Sequence, residues 1–328
     1  VFVILFYPNL EVFFIWQLIS TIIFTLLTRF SLTKKISGHY FLFFRPIIDK
    51  KIFKQIRSFA LGMLLISIVA VLNTQVDKLM ISKFLDVKVL GYYTLAVTLS
   101  TILIVIVNPI SIAILPKFTG MYSLGKKKEA SDLFQRVNLL VSILVLTVMV
   151  NLIYFGRQLI WIWTDDIQLS ILSYEYLPFI SLSFGMMSLS IIPYSIALAN
   201  GYTKLNNLLE LVSLLFTIPG YWLAMKHYGA TGVAMVFCFV TTLQTLIYIY
   251  YINKKFTKIN LYTLFIKNIV TPLIISSLVL CVFHRFVSFD LTNRIVSLSV
   301  ISLSIIISII CSLLITHKKS DYELILKF

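Results

Sequence analysis

Long apolar runs separated by short polar clusters organise the whole chain. The runs mostly extend to about 20 residues, the length a helix rising ~1.5 Å per residue needs to cross a hydrocarbon core of about 30 Å. They lack the strict apolar/polar alternation that a membrane barrel strand shows over about half that length. The pattern predicts helices at about 11 to 30, 58 to 77, 89 to 113, 137 to 156, 172 to 199, 205 to 225, 230 to 252, 268 to 285 and 294 to 316. A partial span ending near Tyr7 precedes them, because the opening VFVILFYPNLEVFF has neither an initiator Met nor the basic leader of a signal peptide and reads as entering inside a helix. The expected fold class is an all-α polytopic membrane protein, a helical bundle of nine complete transmembrane helices plus one partial.

Composition agrees with the pattern. Of 328 residues, 59% are hydrophobic and 12% charged, against about 45–50% and about 25% in soluble domains. Cys238, Cys281 and Cys311 fall inside apolar runs without a CxxC pair, so they read as small buried hydrophobes rather than disulfide or zinc partners. The net charge of +15 raises the question of nucleic acid. Its distribution answers it. Alternating the predicted loops between two sides puts 21 Lys and Arg on one side and 7 on the other, together the full 28. The minority comprises Lys78, Lys83, Lys88, Arg157, Lys226, Arg285 and Arg294. The positive-inside rule makes the majority side cytoplasmic, which places the C-terminus there and removes the main support for a nucleic-acid partner.

The longest cytoplasmic link, residues 31–57, mixes basic residues with Phe and Ile. From Pro46 these recur at helical spacing, as expected of an amphipathic segment on an anionic leaflet. Trp161 and Trp163, beside Asp165 and Asp166, fit an aromatic belt at the outer interface, with the two Asp in an interfacial turn. As an outward acidic pair they would also suit a metal-dependent glycosyltransferase, but two adjacent carboxylates without further ligands make a poor metal site. His39, His227, His284 and His317 lie in loops or at helix ends with no paired-ligand spacing, and there is no phosphate-binding Gly-rich loop. No cofactor is expected, nor enzymatic activity.

Charges at membrane depth are costly enough to suggest function. Glu210 lies about one and a half turns inside its predicted helix, lining a cavity or hydrated at the interface. Asp77 follows Asn73 by four residues and shares its helix face, with Lys78 adjacent; this end meets either outer water or a cavity. Glu175 reads as solvated. Pro109, Pro178, Pro193, Pro219 and Pro272 mark bends or helix starts.

Four stretches carry a resemblance: VDKLMISKFLDVKVLGYYTLAVTLS, ILPKFTGMYSLGKKKEA, ALANGYTKLNN and HYGATGVAMV. In this order they resemble the bacterial polysaccharide flippases, the O-antigen and capsule repeat-unit translocases of the multidrug/oligosaccharidyl-lipid/polysaccharide exporter superfamily. The resemblance covers residues 57–227 well. It implies two six-helix lobes about a central cavity, often followed by two extra helices. On that plan residues 1–30 end a first lobe, 31–57 link the lobes, 58–252 form the second lobe, and 253–328 add the extra helices and a cytoplasmic tail.

The resemblance also implies a bacterial inner-membrane flippase of lipopolysaccharide or capsule biosynthesis. It would move undecaprenyl-pyrophosphate-linked oligosaccharide to the outer leaflet by alternating access, beside a polymerase and chain-length machinery. Asn73, Lys78 and Lys204 are the candidate substrate contacts, since pyrophosphate and sugar hydroxyls need partners away from water. Asp77 and Glu210 are the candidate ion-coupling carboxylates. An ion-coupled multidrug antiporter of the same superfamily and a membrane polysaccharide polymerase are the alternatives, the second disfavoured by short outer loops. A non-transporting scaffold would lack a polar cavity.

Overall fold

The apolar runs form helices, and capping side chains, prolines and glycines set where these end. The computed structural model describes residues 10–37, 68–69, 71–286 and 293–316. Two compact units result, Val1–Gly62 and Met63–Phe328. In the first, helix α1 (Leu10–Ser37) is mostly apolar, with Glu11 in its first turn and Arg29, Lys34 and Lys35 toward its end. Its Thr21, Thr25 and Thr28 hydroxyls each donate to the carbonyl four residues back at 2.8 Å. That satisfies hydroxyls that hydrocarbon cannot.

The second unit begins, among described residues, with α2 over 71–84. There follow α3 (Val87–Ser100), α4 (Ile102–Ser123), α5 (Lys127–Thr164), α6 (Ile167–Tyr174) and α7 (Leu177–Ala199), then α8 (Lys204–Ile252). Two π-helical segments, Asn253–Thr257 and Tyr262–Val270, lead into α9 (Thr271–Phe286) and α10 (Arg294–Thr316). Asp86 starts α3 by accepting from the Lys88 amide at 2.9 Å. Asp166 starts α6 by accepting from the Leu169 amide at 3.0 Å, while Asp165 ends α5 at φ 62°. The acidic pair is thus two helix caps, as an interfacial turn requires.

Several spans differ from the sequence pattern in their bounds. The run expected at 89–113 is divided at Thr101 and continues through Pro109 and Pro116 to Ser123. Helix α5 has 38 residues, roughly 57 Å at the usual rise, so it outreaches a bilayer core. Pro178, which lacks an amide to donate, sits at the start of α7 and separates it from α6. The span at 58–77 is described only from Ile68 onward and runs on to residue 84. Helix α1 continues into the expected link as far as Ser37; the rest of that link, with its amphipathic stretch, and the C-terminal tail lie outside the described residues.

The two runs at 205–225 and 230–252 are one helix with an elbow. Gly229 takes φ 58°, ψ −143°, a combination closed to residues with a Cβ. At Gly232 the limbs come so close that a Cβ would meet the main-chain carbonyl of Ala224, 2.8 Å from its carbon. Of the five prolines singled out, Pro109, Pro193 and Pro219 lie inside α4, α7 and α8, and in α8 the departure from helical geometry is at Gly229 rather than at Pro219.

Helices α5 and α7 are central: α7 packs on α3, α4, α5 and α8, and α5 also carries α9 and α10. The seams are made of small polar residues. Ser100 pairs with Ser181 at 3.0 Å, Ser111 with Ser195 at 2.8 Å, and Thr147 with Ser276 at 3.0 Å. Ser304 donates to the Asn151 carboxamide oxygen. Helix α10 buries Ser297, Ser304, Ser308 and Ser312 and exposes Leu298, Leu303, Ile306, Ile310 and Leu314. Water would favour the reverse. In hydrocarbon, burying leucine gains nothing, whereas small residues allow close approach and their hydroxyls need partners. Beside this seam Arg294 pairs with Asp165 and lies 5.8 Å from the Trp161 ring.

The described residues include seven helices long and apolar enough to cross a membrane, one of them, Lys204–Thr257, containing both limbs of α8. The chain is a multi-pass helical membrane protein. The elbow supplies a test. Gly232→Ala should destabilise the fold by about 1–3 kcal/mol, because the opposing atoms are main chain and cannot turn aside. Gly229→Ala should cost about 1–2 kcal/mol through backbone strain alone. Detergent-solubilised protein carrying each change should melt earlier than the parent, and an unchanged transition for both would mean the elbow is not built as described.

Candidate functional site

Helix α2 and the first limb of α8 are joined through one asparagine. The Asn73 amide nitrogen donates to the Glu210 carbonyl at 3.0 Å, and its oxygen accepts from the Ser213 hydroxyl at 3.2 Å. Ser213 also lies 2.8 Å from that carbonyl. Asn206, one turn before Glu210, donates to its Oε1 at 2.8 Å. The Glu210 carboxylate is thereby held from its own helix, and its main chain from α2.

These groups open onto a cavity of about 310 Å³. Helix α4 contributes Asn108, α7 contributes Ser190 and Ile191, and the first limb of α8 adds Asn206, Glu210, Ser213 and Thr217. The second limb supplies Phe237, Thr241, Gln244, Thr245 and Tyr248. Phe237 stacks edge-on against Phe184 at 6.1 Å, which fixes its ring in the wall. The Tyr248 hydroxyl is buried with no hydrogen-bond partner among the described residues. Most of the lining side chains carry an amide or hydroxyl, while Ile104, Met187, Ile191, Phe237 and Val240 leave the exposed wall mainly apolar; Glu210 is the single carboxylate, and among the described residues no lysine or arginine lines the space. Such a lining can exchange hydrogen bonds with many hydroxyl groups at once and can hold a proton or a cation at Glu210.

The structure brings two of the five sequence candidates together, Asn73 and Glu210. Asp77 lies one turn further along α2, outside the lining. At 4% exposure it is buried, and it is paired: the Tyr93 hydroxyl donates to Oδ2 at 2.8 Å and the Lys78 amide to Oδ1 at 2.8 Å. The Tyr93 ring in turn lies 5.8 Å from that of Tyr176. Lys78 is half-buried and its ammonium donates to Gln75 at 3.1 Å. Lys204 is exposed at the first turn of α8 and does not line the cavity. Glu175 is exposed and takes a hydrogen bond from Thr231.

Sequence reasoning missed Asn206, Ser213 and Thr217, although a signal was present: with Glu210 they are spaced four, three and four residues apart, one face of one helix. Asn108, Gln244 and Tyr248 come from other helices. No local spacing points to them.

Comparisons with known proteins bear on this geometry. Residues 5–165 match the family described as "Polysaccharide biosynthesis protein". That range holds the first two of the four stretches singled out above; the other two lie beyond it. No curated protein matches the sequence. Among solved structures, the fold is similar to "Lipid II flippase MurJ, inward closed conformation", with a TM-score of 0.66 at 17% identity. The alignment covers 86% of this chain and 58% of that one, so the chain spans somewhat more than half the length of the protein it resembles. The family pattern over residues 5–165 bears out the resemblance to polysaccharide biosynthesis proteins, and the likeness to the solved flippase is one of fold.

Proposed function

We propose that the protein is a flippase rather than an enzyme, moving undecaprenyl-pyrophosphate-linked oligosaccharide repeat units from the cytoplasmic to the outer leaflet of a bacterial inner membrane. The observation that carries this reading is the cavity of amides and hydroxyls inside a bundle whose outer faces are apolar. Sugar hydroxyls cannot enter hydrocarbon unpaired, and a lining of this kind removes that penalty. The polyprenyl tail can remain in lipid throughout. In the bacterial setting this cargo would be an O-antigen or capsule unit, handed on to a polymerase and chain-length machinery outside.

The division of labour follows from placement. Asn73 serves the glycan from within the cavity. Lys78, within α2, and Lys204, at the first turn of α8, lie outside the lining and would meet the pyrophosphate as it passes these helices. With the cell interior negative, outward movement of an anion is favoured by about 2.3 kcal/mol per charge per 100 mV, so an ion gradient can assist but is not required. Glu210 in the cavity and Asp77 beneath Tyr93 are the carboxylates that would take up a proton or Na⁺ and bias the lobe between its two open states.

One observation favours a second reading. An anionic cavity free of lysine and arginine among its described lining, with Phe237 in the wall, also suits an organic cation. Transport assays with lipid-linked sugar and with organic cations separate the two. Deletion of the gene should abolish surface polysaccharide and leave lipid-linked repeat units accumulating on the inner side; normal surface polysaccharide would overturn the flippase reading. The coupling assignment is checked separately in reconstituted full-length protein. Glu210→Gln and Asp77→Asn should each lower the response of transport to an imposed ion gradient about tenfold or more, as expected of a protonation-linked site. Full activity with an unchanged response in both variants would remove these residues from the coupling.

A further inference from the structure

We infer that the cavity admits neutral and amine-bearing sugars of the glycan cargo and turns away acidic ones, with Glu210 as the residue that sets this selectivity. The inference rests on the flippase reading and names the class of glycan the site would take. It starts from charge. The described lining offers one carboxylate and no lysine or arginine, and the two lysines nearest in sequence to the site, Lys78 and Lys204, lie outside the lining. A uronate or other acidic sugar entering there gives up its hydration with no cation to replace it, and it does so beside a like charge.

A neutral sugar meets the opposite situation. Asn108, Gln244 and Thr241 present donors and acceptors from α4 and the second limb of α8. Phe237 and Ile191 supply apolar surface for the C–H faces of the ring. An amine-bearing sugar gains a counter-charge in addition.

Glu210 is suited to set selectivity because it cannot swing aside freely. Its Oε1 takes the Asn206 amide at 2.8 Å, and its own carbonyl is held by Asn73 at 3.0 Å. A carboxylate fixed in this way repels an acidic neighbour at a defined place. A residue acting only in ion coupling would instead change the rate for every glycan by the same factor, so the ratio between glycans tells the two roles apart.

The experiment uses full-length protein in proteoliposomes and three matched probes: polyprenyl-pyrophosphate-linked chitobiose, the same lipid with a terminal glucuronate, and the same lipid with a terminal glucosamine. Initial rates are read from the accessibility of the sugar to a membrane-impermeant glycosidase. The unmutated protein should move the neutral and amine-bearing probes on the order of tenfold or more faster than the acidic one, the size of a like-charge penalty partly relieved by water. In Glu210→Gln that ratio should fall to within about threefold, and Asn108→Lys, which adds a cation to the lining from α4, should reverse the preference. Equal rates for all three probes in the unmutated protein, or a ratio that survives Glu210→Gln, would overturn the inference alone. Movement of none of the probes would overturn the flippase reading and the inference with it. Should Glu210→Gln fail to insert, the unmutated ratio and Asn108→Lys still decide.

Discussion

A polar group buried in this bundle can pair only within the protein, because the surrounding hydrocarbon offers no partner; the Ser308, Ser312 and Tyr248 hydroxyls stand unpaired among the described residues. The rest of the architecture follows. Serines and threonines occupy the helix seams, where they pair across α3–α7, α4–α7 and α5–α9 at 2.8–3.0 Å. Leucine and isoleucine face outward, as on α10 and on the α8 face carrying Leu208, Leu211 and Leu215. Interhelical hydrogen bonds of this kind are each worth only about 0.6 kcal/mol, so specificity comes from many of them combined with close approach at small residues. A cavity with amides and hydroxyls in its wall is then an exception to the rule, and on the proposed function a polar cargo would supply the missing partners.

The helical class, the multi-pass topology and most spans were legible in the sequence, since a run of about 20 apolar residues has few other physical solutions. The elbow in α8 was legible only as a gap between two runs around His227 and Gly229. Nothing in the pattern says that the chain continues helically on both sides of a single left-handed glycine. The division of α3 from α4 at Thr101 was hidden because the run remains apolar throughout. Asn73 and Glu210 could be singled out as polar residues at membrane depth. That they share a cavity depends on α2 lying against α8, a contact across 137 positions of sequence. Asp77 shared a helix face with Asn73 by the four-residue rule, yet one turn of displacement moves it from the cavity to a tyrosine partner.

The two carboxylates differ in a way that matters for how each can work. Asp77 already has its hydrogen bonds, from Tyr93 and from the main chain of Lys78, so any ligand there must displace a partner or arrive as a proton. Glu210 is held on one oxygen by Asn206 and opens onto space. The first is suited to reporting the arrangement of α2 against α3, the second to sensing what occupies the cavity. Asn73 sits between them on α2, one turn from Asp77 and bonded to the backbone of Glu210. A displacement of α2 therefore acts at both.

The elbow at Gly229 adds a mechanical consequence. Both limbs of α8 wall the same cavity, the first through Asn206 to Thr217 and the second through Phe237 to Tyr248. They are joined by a single joint, and Gly232 wedges that joint against the Ala224 carbonyl. A few degrees of rotation at Gly229, carried over roughly a dozen residues to the cavity at ~1.5 Å each, becomes a change of an ångström or more in its width. The limbs work like the arms of a pair of tongs whose pivot lies well away from what they grip, so a small turn at the pivot sets the aperture, with the Asn73 bonds to Glu210 and Ser213 moving with the first arm.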